Sequence, residues 1–210
     1  MRISVLGTGL LGSEVALRLK TQGFPVSAWN RTRGKATPLA AVGIALPGDA
    51  AAAIRAADAV LLYLADAAAI EATLFSIEAE PALAGRIIVQ MGTIAPAESR
   101  ALAARVQTAG GEYLEAPVLG SLPEARAGSL FVIAGGDAAL YERCLPVFAA
   151  LSEAPQRIGD VGQAAALKLA LNQLIAGLTA TFSLSLGLVR SEGLDVEAFM
   201  AIVRDSALYA

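Results

Sequence analysis

Lys168 stands at the head of an almost uncharged stretch, since Leu169 to Val189 contains no Asp, Glu, Lys or Arg. Asn172 follows four residues later, so on a helix the two side chains share a face and can reach one small ligand. A lysine among alanines and leucines is poorly solvated. That favours the neutral amine and lowers its pKa toward the range useful for proton exchange. An ammonium beside an oxygen that gains negative charge also stabilises that charge. Taken without its companions, the same lysine reads as a snorkelling side chain whose stem covers apolar surface. The chain has no histidine and one cysteine, Cys144. Proton transfer must therefore use Lys, Tyr, Asp, Glu or Cys, and dehydrogenases built on a His–carboxylate pair are excluded. A zinc site made from His and Cys is excluded as well, and no metal is expected.

The second constellation is "GTGLLG", Gly7 to Gly12. It follows an apolar strand and opens a helix, which is the context a dinucleotide-binding G-x-G-x-x-G requires. Gly7 permits the tight turn, Gly9 lets the backbone approach a pyrophosphate, and Gly12 lets helix and strand pack closely. The helix N-terminus then offers unpaired N–H groups to the phosphates. The end of the second strand bears on the choice of dinucleotide. An acid there would hold a ribose 2′-OH, but the chain has "WNRT", Trp29 to Thr32. Arg31 suits a 2′-phosphate, with hydrogen bonds from Asn30 and Thr32, so NADP(H) is favoured. The candidate cofactor contacts are Gly7, Gly9, Leu10, Leu11, Gly12, Asn30, Arg31, Thr32, Leu64 and Thr93.

Short apolar runs alternating with helical patterns must position these residues. "RISVLG", "PVSAWN", "DAVLLYL" and "GRIIVQMG" are strands, and the segments between them are amphipathic or alanine-rich helices. "GEYLEAPV" and "GSLFVIAGG" add strands, "DAALYERCLPVFAAL" is a helix bent or interrupted by Pro146, and "PQRIGDVG" is an extended link. The pattern predicts an α/β protein with a Rossmann-type doubly wound parallel sheet. Near Gly159 it stops, and only helix follows. The expected division is an NADP-binding domain over 1–160, then a long helix and the start of an all-α domain over 161–210.

Hydrophobic residues make up 56% of the 210 and charged residues 17%, which supplies ample core. A net charge of −3 with no basic run gives no field for nucleic acid. The single cysteine fits a reducing, cytoplasmic setting, and a signal peptide is not expected because Glu14, Arg18 and Lys20 follow the first apolar run directly. The long uncharged helix is long enough to span a bilayer, but Asn172, Gln173, Thr179, Thr181, Ser183 and Ser185 are scattered along it. The expectation is a buried spine outside the membrane, covered by a second copy in a homodimer.

Five motifs occur in order: the glycine loop, "WNRT", "MGT" at Met91 to Thr93, "EAPVLGSLPEARAGSL" from Glu115, and "GDVGQAAALKLALN" from Gly159. Together they resemble the β-hydroxyacid dehydrogenases, such as 3-hydroxyisobutyrate dehydrogenase. The "NRT" turn and "EAPVLGS" are most similar to the glyoxylate and succinic semialdehyde reductase branch. The resemblance implies hydride transfer between a nicotinamide and a small hydroxy acid, its oxo form or a semialdehyde. It makes Lys168 the proton donor and acceptor, and Asn172 a substrate contact. It assigns Gly120 and Ser121 to the substrate carboxylate, and Thr93 to the place where cofactor and substrate meet. Leu119 stands where the family usually has serine, and the helical segment is shorter than the family's second domain. Imine reductases share the early motifs but often carry Asp or Tyr at the position of Lys168. The alternatives are an inert NADP-binding module and an imine-reductase-like enzyme. The exact substrate is not legible.

Overall fold

Ile3–Leu6 forms β1, buried at every position, and it sits inside the sheet that organises the first part of the chain. The computed structural model describes residues 1–206. The last four positions of the expected 161–210 segment lie outside the described residues. Two compact units are present, Met1–Leu169 and Ala170–Ala210, and the first carries the whole sheet.

After β1 come α1 (Leu10–Thr21), β2 (Val26–Trp29), α2 (Thr37–Ala40), α3 (Ala50–Arg55) and β3 (Ala59–Leu62). Then follow α4 (Ala67–Leu74), β4 (Ile87–Gln90), α5 (Pro96–Thr108), β5 (Glu112–Glu115), β6 (Val118–Leu119) and α6 (Leu122–Ala127). The unit closes with β7 (Phe131–Gly135), α7 (Ala138–Leu151), β8 (Gln156–Gly159) and the first turns of α8 (Gln163–Ser191). The sheet order is β2-β1-β3-β4-β5-β7-β6, with β8 paired to β7.

From β2 to β5 every pairing is parallel. Strands β5 and β7 meet antiparallel, as do β6 and β7, while β8 runs parallel to β7. The sheet is thus the expected doubly wound one, with an antiparallel turn at one side. The "PQRIGDVG" link differs from expectation, because its first part pairs with β7 as a strand. Pro146 lies within α7 without dividing it.

Helices cover both faces, which is why the strands read as continuous apolar runs. Ile3, Val5, Leu61 and Val89 pack on one face with Val15 and Leu19 of α1 and Val147 and Phe148 of α7. Leu6, Val60, Leu62 and Ile88 pack on the other with Ile54, Ile70, Leu74 and Leu102. Side-chain alternation along each strand divides the two sets. Local caps start the helices where the sequence places Asp. Asp49 accepts the Ala52 N–H at 2.6 Å, Asp66 that of Ala69 at 2.8 Å, and Asp137 that of Leu140 at 2.8 Å.

The second unit contains the rest of α8 and α9 (Val196–Asp205). Phe182 and Phe199 face each other with ring centroids 6.2 Å apart. Leu174, Ile175, Leu178, Leu184 and Leu188 are exposed along α8. By length and composition α8 is apolar enough to cross a membrane.

Candidate active site

The chain turns back on itself between β1 and β3, because β2 lies on one side of β1 and β3 on the other. In open α/β sheets the crevice at such a reversal, beyond the strand C-termini, is where ligands bind. The glycine loop sits there. Gly7 has φ +99 and donates its N–H to the Trp29 carbonyl at 2.9 Å. A Cβ at Gly7 would lie 2.2 Å from the Tyr63 carbonyl oxygen, and one at Gly12 would lie 2.0 Å from the Gly7 carbonyl oxygen. These two glycines hold the loop against the end of β3. Gly9 is different, since a Cβ there would meet nothing within 4 Å. Its open side leaves the backbone free to approach a ligand, and the α1 N-terminus it precedes has no side-chain cap. The loop therefore fits a pyrophosphate.

A cleft of about 550 Å³ extends from the loop. Gly7, Gly9, Trp29, Asn30, Arg31 and Thr32 form part of its wall, with Lys35 beside them and Tyr63 and Leu64 also lining it. Arg31 and Lys35 are exposed. Asn30 is already committed, because its Oδ1 accepts the Thr8 N–H at 3.1 Å and its Nδ2 donates to the Thr32 carbonyl at 3.0 Å. It ties the β2 turn to the glycine loop. Lys35 went unnoticed in the sequence because it falls in a helical-looking run. Its signal was a third cation two residues beyond Arg33 and four beyond Arg31.

A second cavity of about 350 Å³ shares Gly9, Tyr63 and Leu64 with the first. Leu10, Leu11 and Gly12 border it, and it joins Thr93, Gly120 and Lys168, three residues that are far apart in sequence. Met91, Gly92 and Val118 complete the wall. Lys168 is half-buried, and burial lowers its pKa from the usual lysine value. Gly120 has φ +119, and a Cβ there would press on Leu130 at 2.8 Å. Tyr63 lines both cavities while its hydroxyl is buried without a partner, and burial raises its pKa, so it stays a neutral phenol. Nothing in the sequence distinguished it from any other strand-end aromatic.

Ser121 is not part of that wall. Its N–H and hydroxyl both donate to Glu124 Oε2, at 2.7 and 2.9 Å, which closes the first turn of α6 and lowers the Glu124 pKa. Asn172 lies in the second unit, one turn beyond Lys168 along α8, and is half-buried.

This architecture and loop define a dinucleotide-binding α/β protein. Residues 2–162 match the family described as the NAD binding domain of 6-phosphogluconate dehydrogenase. The chain is 30% identical over 215 residues to glyoxylate/succinic semialdehyde reductase 2, chloroplastic, of Arabidopsis thaliana, with 99% of this chain and 59% of that protein covered. It is 32% identical over 181 residues to the 2-hydroxy-3-oxopropionate reductase of Escherichia coli, covering 85% of this chain and 61% of that protein. The fold superposes on an imine reductase from Myxococcus stipitatus in complex with NADP+ with a TM-score of 0.91, 26% identity, and 97% and 71% of the two chains covered. The chain belongs to the β-hydroxyacid dehydrogenase family, which carries this NAD-binding domain. It spans about three-fifths of the length of the two curated reductases, at 59% and 61%.

Proposed function

We propose that this chain works as an NADPH-dependent reductase of a small oxo acid or semialdehyde, interconverting it with the hydroxy acid. The observation that carries the reading is the cavity lined by Gly9, Thr93, Gly120 and Lys168, which shares Gly9, Tyr63 and Leu64 with the glycine-loop cleft. Gly7, Gly9 and Gly12 and the α1 N-terminus would hold the pyrophosphate. Arg31, Thr32 and Lys35 would hold a 2′-phosphate, in agreement with the absence of an acid after β2. When bound, the nicotinamide supplies the hydride. The Lys168 ammonium would lie beside the substrate carbonyl oxygen, stabilise its growing charge and give it a proton, leaving the neutral amine. In the oxidative direction the amine takes the proton back. Burial lowers the lysine pKa from its ordinary value, which eases release of that proton. Gly120 would receive the substrate carboxylate through its backbone N–H, Ser121 would join it only by giving up its bonds to Glu124, and Asn172 would contact substrate.

Imine reduction on the same scaffold is the second reading, favoured by the likeness to the Myxococcus stipitatus enzyme. An inert NADP-binding module is the third. A panel of glyoxylate, succinic semialdehyde, other oxo acids and cyclic imines, assayed with NADPH and NADH, separates them. Oxo-acid turnover that disappears in Lys168→Ala, while NADPH still quenches Trp29, supports the reductase. Imine turnover alone supports the second reading. Quenching without turnover of any substrate leaves the inert module.

The exposed leucines of α8 support a two-fold dimer in which a second copy covers them, outside any membrane. A well-behaved monomer in sedimentation at micromolar concentration would contradict that. The lone buried thiol of Cys144 suits a reducing, cytoplasmic compartment.

A further inference from the structure

Glu115 ends β5 inside the protein at 2% exposure, where a carboxylate needs several donors to offset its lost hydration. Its Oε1 accepts the N–H groups of Gly162 at 2.8 Å, Ala164 at 2.8 Å and Ala165 at 3.1 Å. Its Oε2 accepts the hydroxyl of Ser99. Ser99 has one hydroxyl proton, so the 2.9 Å bond between Ser99 and Tyr113 must run from the Tyr113 hydroxyl to the Ser99 oxygen. Gly135 leaves the room required, since a Cβ there would lie 2.7 Å from Glu115 Oε1.

The three amides belong to the start of α8, where backbone N–H groups have no partner within the helix. A side chain from a strand end 47 residues earlier supplies the cap. Lys168 follows Ala164 by one helical turn. Beyond Glu115, the same segment continues to Val118 and Gly120, which line the same cavity as Lys168. One carboxylate therefore ties the segment that forms the wall to the helix that carries the amine.

We propose that Glu115 is a positioning residue for Lys168, fixing the first turn of α8 to the end of β5 and so holding the amine against the Gly120 wall. The proposal rests on the reading of Lys168 as the proton handler, and its test does not depend on turnover alone.

The experiment follows Lys168 by competitive acylation across pH with peptide mass spectrometry, using exposed Lys20 as internal reference. Parent, Glu115→Ala and Glu115→Gln are compared, with NADPH binding measured by Trp29 quenching. In Glu115→Ala the Lys168 labelling midpoint should rise toward that of Lys20, because the amine escapes the cavity. Loss of a negative charge without movement would lower the midpoint instead, so the sign separates the two causes. The turnover number should fall by about ten- to a hundredfold with KM and NADPH affinity nearly unchanged, as expected of a small misplacement. Glu115→Gln keeps an acceptor and should recover part of both effects. If Glu115→Ala lacks a cooperative melt, Glu115→Asp, which keeps the charge but shortens the reach, decides by a smaller rise. An unchanged or lowered midpoint in folded Glu115→Ala, or an unchanged one in folded Glu115→Asp, overturns the proposal. A parent that turns over no oxo acid defeats the reductase reading, while the labelling shift still tests the positioning.

Discussion

Asn30 accepts the backbone N–H of Thr8 at 3.1 Å, so the turn after the second strand holds the glycine loop in place. A residue expected to touch the cofactor thus acts on the loop beneath it. Asn30→Ala should weaken NADPH and NADH by similar factors, about tenfold, the worth of one or two lost hydrogen bonds. Arg31→Asp should instead weaken NADPH by about a hundredfold or more while sparing NADH, because it replaces a favourable charge pair with repulsion. Titration of Trp29 fluorescence with both dinucleotides checks the pair.

The three loop glycines should separate by phenotype. Gly9 has φ −71 and open space where a Cβ would go, so Gly9→Ala should melt close to the parent yet lose most dinucleotide affinity. A Cβ at Gly12 would meet the Gly7 carbonyl oxygen at 2.0 Å. Gly12→Ala should therefore lower stability by about 1–3 kcal/mol through forced backbone shifts. Thermal melts with and without NADPH distinguish the two classes.

Lys168 makes the pH dependence directional. On the proposed mechanism reduction uses the ammonium, so turnover in that direction should fall as pH rises through the lowered lysine pKa, below the ordinary 10.5. Oxidation would then use the neutral amine and should rise over the same interval. Stability follows linkage. The unfolded chain holds this proton more tightly than the folded one, so the lysine's effect favours folding increasingly as pH rises from the folded pKa toward 10.5. Lys168→Met should abolish both activity limbs and remove that increment from the pH–stability curve.

Ser121 spends its hydroxyl on Glu124 at 2.9 Å. Ser121→Ala should cost about 0.5–2 kcal/mol by loosening the first turn of α6, measured by urea unfolding. KM for the oxo acid should rise only modestly, because the hydroxyl that is lost already serves Glu124.

Much of the fold is legible without coordinates. Continuous apolar strands such as Ile3–Leu6 alternating with helices require a sheet covered on both faces, and the Asp caps mark where several helices start. The reversal of β7 against β5 is not legible, because its residues look like those of any buried strand. Neither is the pairing of β8, whose short polar run is weak as a local signal.

The glycine loop, the cationic turn at Arg31 and the lysine of the long helix follow from sequence alone, because each depends on local backbone geometry or on a charge set among apolar neighbours. The meeting of Lys168 with Thr93 and Gly120, the double use of Tyr63, and the capture of the α8 N-terminus by Glu115 were decided by tertiary structure. Those relationships join residues dozens of positions apart. A buried carboxylate or phenol acquires its role only from the donors and walls that folding brings around it.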